Sequence, residues 1–185
     1  GPSSGLIARM GDKDAARKTM RAAGVPVVPG CDLVENTAHA LREAERIGFP
    51  LLVKARAGGG GRGIRLVGAM GELEQAVATA SAEAQSAFGD GAVYLEKILS
   101  PVKHIEMQVL CDKQGSVVCL GERECSIQRR RQKLVEESPS PAVNGETRDA
   151  MMEAAVKAAR AVHYENAGTI EFLMDRDGHF YFMEM

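Results

Sequence analysis

KARAGGGGRGIRLV runs from Lys54 to Val67. Four consecutive glycines, Gly58 to Gly61, then Arg62 and Gly63, separate two β-prone apolar runs, Leu51-Leu52-Val53 and Ile64 with Leu66-Val67. Glycine loses more backbone entropy on folding than any other residue, so a run of it between strands needs a reason. A Rossmann turn leads from a strand into a helix, and here a strand follows Gly63. A Walker loop ends in Gly-Lys-Ser/Thr, which this one does not. Two readings remain. One is a hairpin tip of no chemical consequence. The other is a glycine-rich lid between antiparallel strands, whose N–H groups approach phosphate oxygens closely and whose freedom lets it close over a nucleotide. Lys54 sits in the apolar LLVKA and Arg62 in the loop itself; a phosphate would satisfy both. Lys13 alone reads as a surface lysine.

The rest of the chain bounds the problem. Its 185 residues allow one large domain or two small ones, and 45% of them are hydrophobic, enough for a core. With no Trp, that core is aliphatic and Met-rich. A net charge of −2 leaves no footprint for nonspecific nucleic-acid binding. No apolar run approaches the roughly 18 residues of a membrane span. Cys31, Cys111, Cys119 and Cys125 form neither a CxxC pair nor a zinc spacing; they read as reduced thiols of a cytosolic or mitochondrial-matrix protein. GPSSG at the start has the composition of a cloning remnant, and HFYFMEM ends inside what reads as a strand.

Helix signals follow Asp12, through Met20 and Ala23 to Gly24, and again Asn36 or Thr37, with Leu41, Ala44 and Ile47 on one face and Gly48 as the stop. VPVVPG between them forbids helix. Leu73, Val77, Ala80, Ala84 and Phe88 recur at helical spacing over Glu72–Phe88, and a further helix spans Thr147 to Val162. FPLLVKA, GIRLV and AVYLEKIL read as strands. HIEMQVLCDKQGSVVCLGE is a hairpin around Asp112–Gly115, and GTIEFLMDRDGHFYFMEM a second one turning near Asp177-Gly178. The fold class is α+β with mostly antiparallel strands, without an internal repeat.

Two segments carry charge in the wrong place for a bland surface. ERECSIQRRRQKLVEE holds Arg123, Arg129, Arg130, Arg131 and Lys133 among almost no turn residues. If it is extended, Arg129, Arg131 and Lys133 share one face. That row needs an anion opposite it, or else an ion-pair ladder with Glu122, Glu124, Glu136 and Glu137. In the last hairpin, a connection of Arg176 to His179 pairs Asp175 with Phe180 and sets Glu171 opposite Glu184. Facing carboxylates destabilise a sheet, so a cation or a shared proton must relieve them. Mg²⁺ takes carboxylates together with substrate phosphates. A register shifted by one residue removes this argument. Lid, cationic row and carboxylate pair together compose an ATP–Mg²⁺ site.

KARAGGGGRGIRLV, VYLEKIL, HIEMQVL, ERECSIQRRRQKLVEE and GTIEFLM…FYFMEM, in this order, resemble the ATP-grasp region of biotin carboxylase, the component found in acetyl-, propionyl- and methylcrotonyl-CoA carboxylases and in pyruvate carboxylase. The resemblance covers nearly the whole chain, GPSS and MGDK included, and so implies a native N-terminal stretch in place of a cloning remnant. It implies an ATP-grasp fold: residues 1–25 as helical entry, 26–97 as the lid subdomain and 98–185 as the larger subdomain. It implies a ligase that uses ATP and bicarbonate to make carboxyphosphate and then carboxylates biotin at N1′. Carried over by motif, Lys13 and Lys54 would contact nucleotide phosphates, with Gly60 and Gly61 in the lid. Glu96, Lys97, Ile98 and Leu99 would form the hinge that bonds adenine, and His104 and Gln128 would lie near the ribose. Lys133, the catalytic residue, would face bicarbonate and the γ-phosphate, and Glu171 and Glu184 would hold Mg²⁺ or Mn²⁺. Arg131 departs from the family, which usually has His or Asn there. The family pattern also continues past FMEM with an Asn-Thr-Arg and a Gln-Val-Glu-His segment that supply a further metal ligand, the bicarbonate-binding arginine and the catalytic base. The isolated piece is therefore expected to bind nucleotide without carboxylating biotin. The implied partners are a biotinylated carrier domain and a carboxyltransferase in an oligomeric parent, with no nucleic acid and no membrane. Two alternatives stay open: another ATP-grasp carboxylate ligase, and a nucleotide-binding module without catalysis.

Overall fold

A computed structural model of the chain describes residues 1–57, 63–130 and 132–185. Gly60 and Gly61, with the rest of the loop from Gly58 to Arg62, and Arg131 lie outside the described residues. The chain divides into two compact units, one of Gly1–Gly11, Ala15–Val27 and Leu99–Met185, the other of Asp12–Asp14 and Val28–Ile98.

In the smaller unit, β1 (Gly30–Leu33), β2 (Leu51–Ala55), β3 (Ile64–Val67) and β4 (Val93–Lys97) form an antiparallel sheet in the order β1-β4-β2-β3. Strand alternation buries Leu51, Val53 and Ala55 on one face of β2 and turns Leu52 and Lys54 to the other. The buried face packs on α3 (Thr37–Ile47) and α4 (Leu73–Phe88) through Ala40, Ala44, Leu73 and Ala80. The Asn36 side chain caps α3 by accepting the His39 amide at 2.9 Å. The face of α3 differs from the expected one: Ala40 and Ala44 are buried, Ile47 sits at the margin and Leu41 is exposed. Small residues at the contact let a helix lie close to its neighbour, so the alanines rather than the leucine meet the sheet.

β2 and β3 pair in register from Leu51↔Val67 to Lys54↔Ile64, on either side of the glycine run. Gly63 closes this hairpin, accepting the Ala55 amide at 2.8 Å with φ +68°. A Cβ there would stand 2.6 Å from the Ala55 Cβ. Gly63→Ala is therefore expected to destabilise the smaller unit by about 1–3 kcal/mol, from left-handed backbone and overlap together. Denaturant titration checks this, and an unchanged midpoint would contradict it.

The larger unit is a five-stranded antiparallel sheet, β7-β6-β5-β8-β9, with β5 Lys103–Cys111, β6 Val117–Arg129, β7 Gln132–Glu137, β8 Asn166–Met174 and β9 Phe180–Glu184. One face carries Ile105, Met107, Val109, Ile170 and Phe172 into a core with α5 (Gly145–Ala161) and with Leu6, Met10 and Met20 of α1 (Ser4–Gly11) and α2 (Lys13–Ala22). Met151, Ala154, Ala155, Ala158 and Ala159 give α5 its buried stripe at helical spacing. The helix α1 and the strand β1 were not expected from the sequence; both are short and gain their stability from buried tertiary contacts, Leu6 and Met10 for α1 and Cys31 for β1.

Two registers differ from expectation. Arg129 pairs with Gln132, and Arg130 takes φ +52°, so ERECSIQRRRQKLVEE is two strands with a turn and not one. That turn breaks the expected cationic row, because Arg129 and Lys133 stand on different strands. In the β8–β9 hairpin Met174, not Asp175, pairs with Phe180, and the connection runs from Asp175 to His179. Asp175 instead folds the turn, accepting the amides of Asp177 at 3.0 Å and His179 at 2.9 Å. A bulge between Phe172↔Phe182 and Glu171↔Glu184 then inserts one residue into β9 and brings the two glutamates opposite each other.

Candidate functional site

The non-core face of the larger sheet carries one row of charge across four strands. Arg123 on β6 stands opposite Glu106 on β5, Glu106 opposite Glu171 on β8, and Glu171 opposite Glu184 on β9. Adjacent carboxylates would repel, and two cations enter between them. Lys133, opposite Gln128 in the β6–β7 pairing, donates to Glu106 Oε2 at 2.5 Å and to Glu171 Oε1 at 2.7 Å. Arg123 donates to Glu106 Oε1 at 2.5 Å and to the Gln108 side chain at 3.0 Å. His104 Nε2 meets the second oxygen of Glu171 at 2.7 Å, while its Nδ1 lies 2.7 Å from the Gln128 amide nitrogen.

Burial sharpens these interactions. The side chains of Glu106, Glu171 and Lys133 are 5%, 13% and 28% exposed. Burial alone would push both carboxyls up; hydrogen bonds from Lys133 and Arg123 to Glu106, and from His104 and Lys133 to Glu171, outweigh it and hold both below the usual carboxylate range. The same balance acts on Lys133: burial would lower its pKa, but the Glu106 and Glu171 hydrogen bonds raise it above the ordinary lysine value. Lys133 is therefore a fixed cation bridging two carboxylates. Beside it, burial and the Glu106 charge push the Cys125 thiol up to about 11, leaving it protonated and unreactive at neutral pH.

In the smaller unit, Lys54 lies opposite Tyr94 on the face away from the core and forms an ion pair with Glu96. A carboxylate, and not solvent, is what satisfies this half-buried ammonium. The backbone N–H groups of Lys97 and Ile98 donate to Pro29 and Pro50 carbonyls at 2.7 and 3.3 Å, and the Lys97 ammonium donates to the Phe49 carbonyl at 2.9 Å. Leu99 begins the return to the larger unit. Lys13 is exposed at the first residue of α2.

The structure thus brings His104, Gln128, Lys133 and Glu171 into one hydrogen-bonded cluster, and Lys54 and Glu96 into another. Glu184 stands in the row by register, exposed, next to the end of the cluster. Glu106 was missed by the sequence reading, and Arg123 was read only as part of a basic run. The signal for both was the polar phase of HIEMQ against that of ERE, but it becomes a site only when β8, 65 residues away, pairs with β5 at Glu106↔Glu171. The glutamates expected as an ion-pair ladder look elsewhere. Glu122 holds Arg148 at 2.7 Å, Glu124 holds Lys103 at 2.7 Å and the Ser140 hydroxyl at 2.7 Å, and only Glu136 approaches Arg123, at 3.9 Å. All four cysteines are free.

An antiparallel α+β arrangement with a glycine-run hairpin in one unit, and a lysine bridging two acidic strands in the other, defines a nucleotide-binding class. Residues 12–185 match the family described as carbamoyl-phosphate synthase L chain, ATP binding domain, and the chain belongs to that family. Over its whole length it is 54% identical to the biotin carboxylase of Nostoc sp. and 55% identical to the chloroplastic biotin carboxylase of Arabidopsis thaliana, of which it spans 42% and 35%. Among solved structures, a Campylobacter jejuni biotin carboxylase complex with β-γ-ATP superposes with a TM-score of 0.91 at 49% identity, all of this chain against 42% of that one. The biotin carboxylase domain of Hydrogenobacter thermophilus 2-oxoglutarate carboxylase, in complex with MgADP, ADP and bicarbonate, gives 0.89 at 49% identity, with all of this chain against 41% of that one. The fold is the ATP-grasp fold of these enzymes. The chain thus spans less than half the length of these relatives. No helix among the described residues is long and apolar enough to cross a membrane.

Proposed function

We propose that this chain is the ATP- and Mg²⁺-binding part of a biotin carboxylase, a ligase that activates bicarbonate with ATP and carboxylates biotin on a carrier domain for a carboxyltransferase. The observation that carries this reading is the Lys133 bridge between Glu106 and Glu171, continued across the sheet to Glu184. A permanently charged ammonium fixed by two buried carboxylates is preorganised to stabilise negative charge developing on a transferring phosphoryl group or on bicarbonate. Lys133 is the catalytic residue of this reading. In the smaller unit we assign Lys54 and Lys13 to nucleotide phosphates, the residues 58–63 to the lid, and Glu96 to Ile98 to the adenine. Leu99 is assigned to the adenine as well, and His104, Gln128 and Arg131 to the ribose and phosphates. Residues 26–97 act as the lid subdomain and 98–185 as the larger one. The four free cysteines fit a reducing compartment, cytosolic or mitochondrial-matrix.

The donor set fits a divalent cation. A carboxylate offers about four acceptor sites; Glu171 spends one on His104 and one on Lys133, which leaves capacity for a metal. Among the described residues, Glu171 and Glu184 join no cluster of three metal-ligating side chains. That suits Mg²⁺, which takes one or two carboxylates and fills its shell with phosphates and water. When bound there, it would neutralise phosphate charge. Glu171 and Glu184 would hold it, Lys133 would hold bicarbonate or the γ-phosphate, and His104 would keep Glu171 in place. Paramagnetic Mn²⁺ is expected to broaden the NMR signals of Glu171 and Glu184 together, more strongly when ATP is present. Broadening that spares both in the presence of ATP would remove the metal assignment.

A further inference from the structure

We infer that Gln128 is a positioning residue which, anchored on the Cys125 carbonyl, makes His104 a one-way hydrogen-bond donor to Glu171. The argument is one of proton bookkeeping along a chain of contacts. Gln128 Nε2 lies 2.8 Å from the Cys125 carbonyl oxygen. A carbonyl only accepts, so this end of the amide is its NH₂ group, and the assignment does not depend on telling nitrogen from oxygen by shape. The second hydrogen of the same NH₂ points to His104 Nδ1 at 2.7 Å. Nδ1 must therefore be the bare, accepting nitrogen, which puts the ring proton on Nε2. That N–H faces Glu171 Oε2 at 2.7 Å. The His104 backbone is held too, its amide donating to the Ser126 hydroxyl at 3.1 Å.

The direction of this relay matters for the acid. His104 on one oxygen and Lys133 on the other fix the plane of the Glu171 carboxylate and leave its remaining lone pairs aimed in set directions. A ring with the opposite tautomer would turn a bare Nε2 toward the carboxylate, two acceptors face to face. Gln128 is itself exposed, and the β6–β7 pairing sets it beside Lys133. It reaches the acid only through His104, so its effect on Glu171 is one of orientation. This inference deepens the proposed assignment of Glu171 but concerns the ligand-free protein, so its test is separate from nucleotide or metal binding.

Long-range ¹H–¹⁵N correlation spectra of the histidine rings report which nitrogen carries the proton. In the unsubstituted chain at pH 8, His104 is expected as the Nε2–H form. Glu171→Ala removes the other partner, and the same form is expected to persist because Gln128 still donates to Nδ1. Gln128→Glu replaces the donor by an acceptor, and a proton is expected on Nδ1 as well as on Nε2, since Glu171 still accepts from Nε2. A protonated Nδ1 in the unsubstituted chain, a tautomer mixture in Glu171→Ala, or an unchanged bare Nδ1 in Gln128→Glu would each overturn the inference. Metal or ATP binding that fails while these spectra behave as expected would count against the proposed function and leave the relay standing.

Discussion

Lys133→Met is expected to lower the stability of the larger unit by about 3 kcal/mol at pH 7, and the deficit is expected to shrink at pH 5. The substitution keeps the aliphatic stem and removes the charge. Glu106 and Glu171, directly opposite across β5 and β8, then face each other with side chains only 5% and 13% exposed. Removing one partner of a buried ion pair costs about 3–5 kcal/mol because the other charge is left uncompensated. Arg123 on Glu106 and His104 on Glu171 keep the expected value at the low end of that range. The sign of the pH dependence is diagnostic. With the cation gone, burial and like charge raise the pKa of the carboxyl pair above its unfolded value. A group so raised contributes stability at low pH and loses it as pH rises through the folded pKa. The variant is thus more stable at pH 5 than at pH 7. In the unsubstituted protein these two carboxyls are held down and contribute no pH dependence over the same interval. Urea titrations at the two pH values decide the matter. A deficit under 0.5 kcal/mol (on the order of a surface ion pair), constant with pH, would make Lys133 a solvated lysine.

Acid is expected to open the larger unit before the smaller one. Burial alone would raise the carboxyls of Glu106, Glu122, Glu124 and Glu171. Hydrogen bonds and charges from Lys133 and Arg123, from Arg148, from Lys103 and Ser140, and from His104 and Lys133, respectively, outweigh burial, and all four lie below the reference 4.5. Depressed carboxyl pKa values contribute stability that is full above 4.5 and is lost as pH falls through the folded values. Each group contributes a slope of up to about 1.4 kcal/mol per pH unit, so four titrating together approach roughly 5 kcal/mol per unit. In the smaller unit, the Ala92 amide and then Arg56 hold the Asp90 carboxyl down, and Asp90 lies near the surface. Protection factors for amide exchange in β5, β6 and β8 should therefore collapse between pH 4.5 and pH 3 while those in β2 and β4 persist. Simultaneous loss, or loss in β2 and β4 first, would show that these four carboxylates do not govern acid stability.

Much of this protein follows from local pattern. FPLLVKA reads as the strand β2, Thr147 to Val162 as the helix α5, and Asn36 or Thr37 and Gly48 mark the ends of α3. These features depend on neighbours a few residues apart, where periodicity and capping act. The glycine run could be read as a loop between antiparallel strands because Rossmann and Walker loops require a different following element. The pairing of Glu171 with Glu184 was also expected, but through an incorrect turn. The sequence offered a connection from Arg176 to His179, whereas Asp175 hydrogen-bonds across the turn and joins the connection, and a bulge in β9 restores the pairing. A bulge is one extra residue whose position depends on packing against the neighbouring strand, and no local rule marks it.

What only the tertiary structure decided is which charges meet. The cationic row reads as continuous in the sequence, yet Arg130 in the left-handed region folds it into a hairpin and sends Lys133 back toward β5 and β8. Glu106 is an ordinary polar position of an amphipathic strand until β5 pairs with β6 on one side and β8 on the other, which brings Arg123 and Glu171 to it. The same pairing gives Glu171 two partners, Lys133 and His104, where the sequence called for a cation or a shared proton without saying which residue would supply it. Strand period specifies which face a residue takes, but the order of strands in a sheet comes from burying the apolar faces of distant segments together. The charged row on the opposite face is assembled as a consequence of that burial.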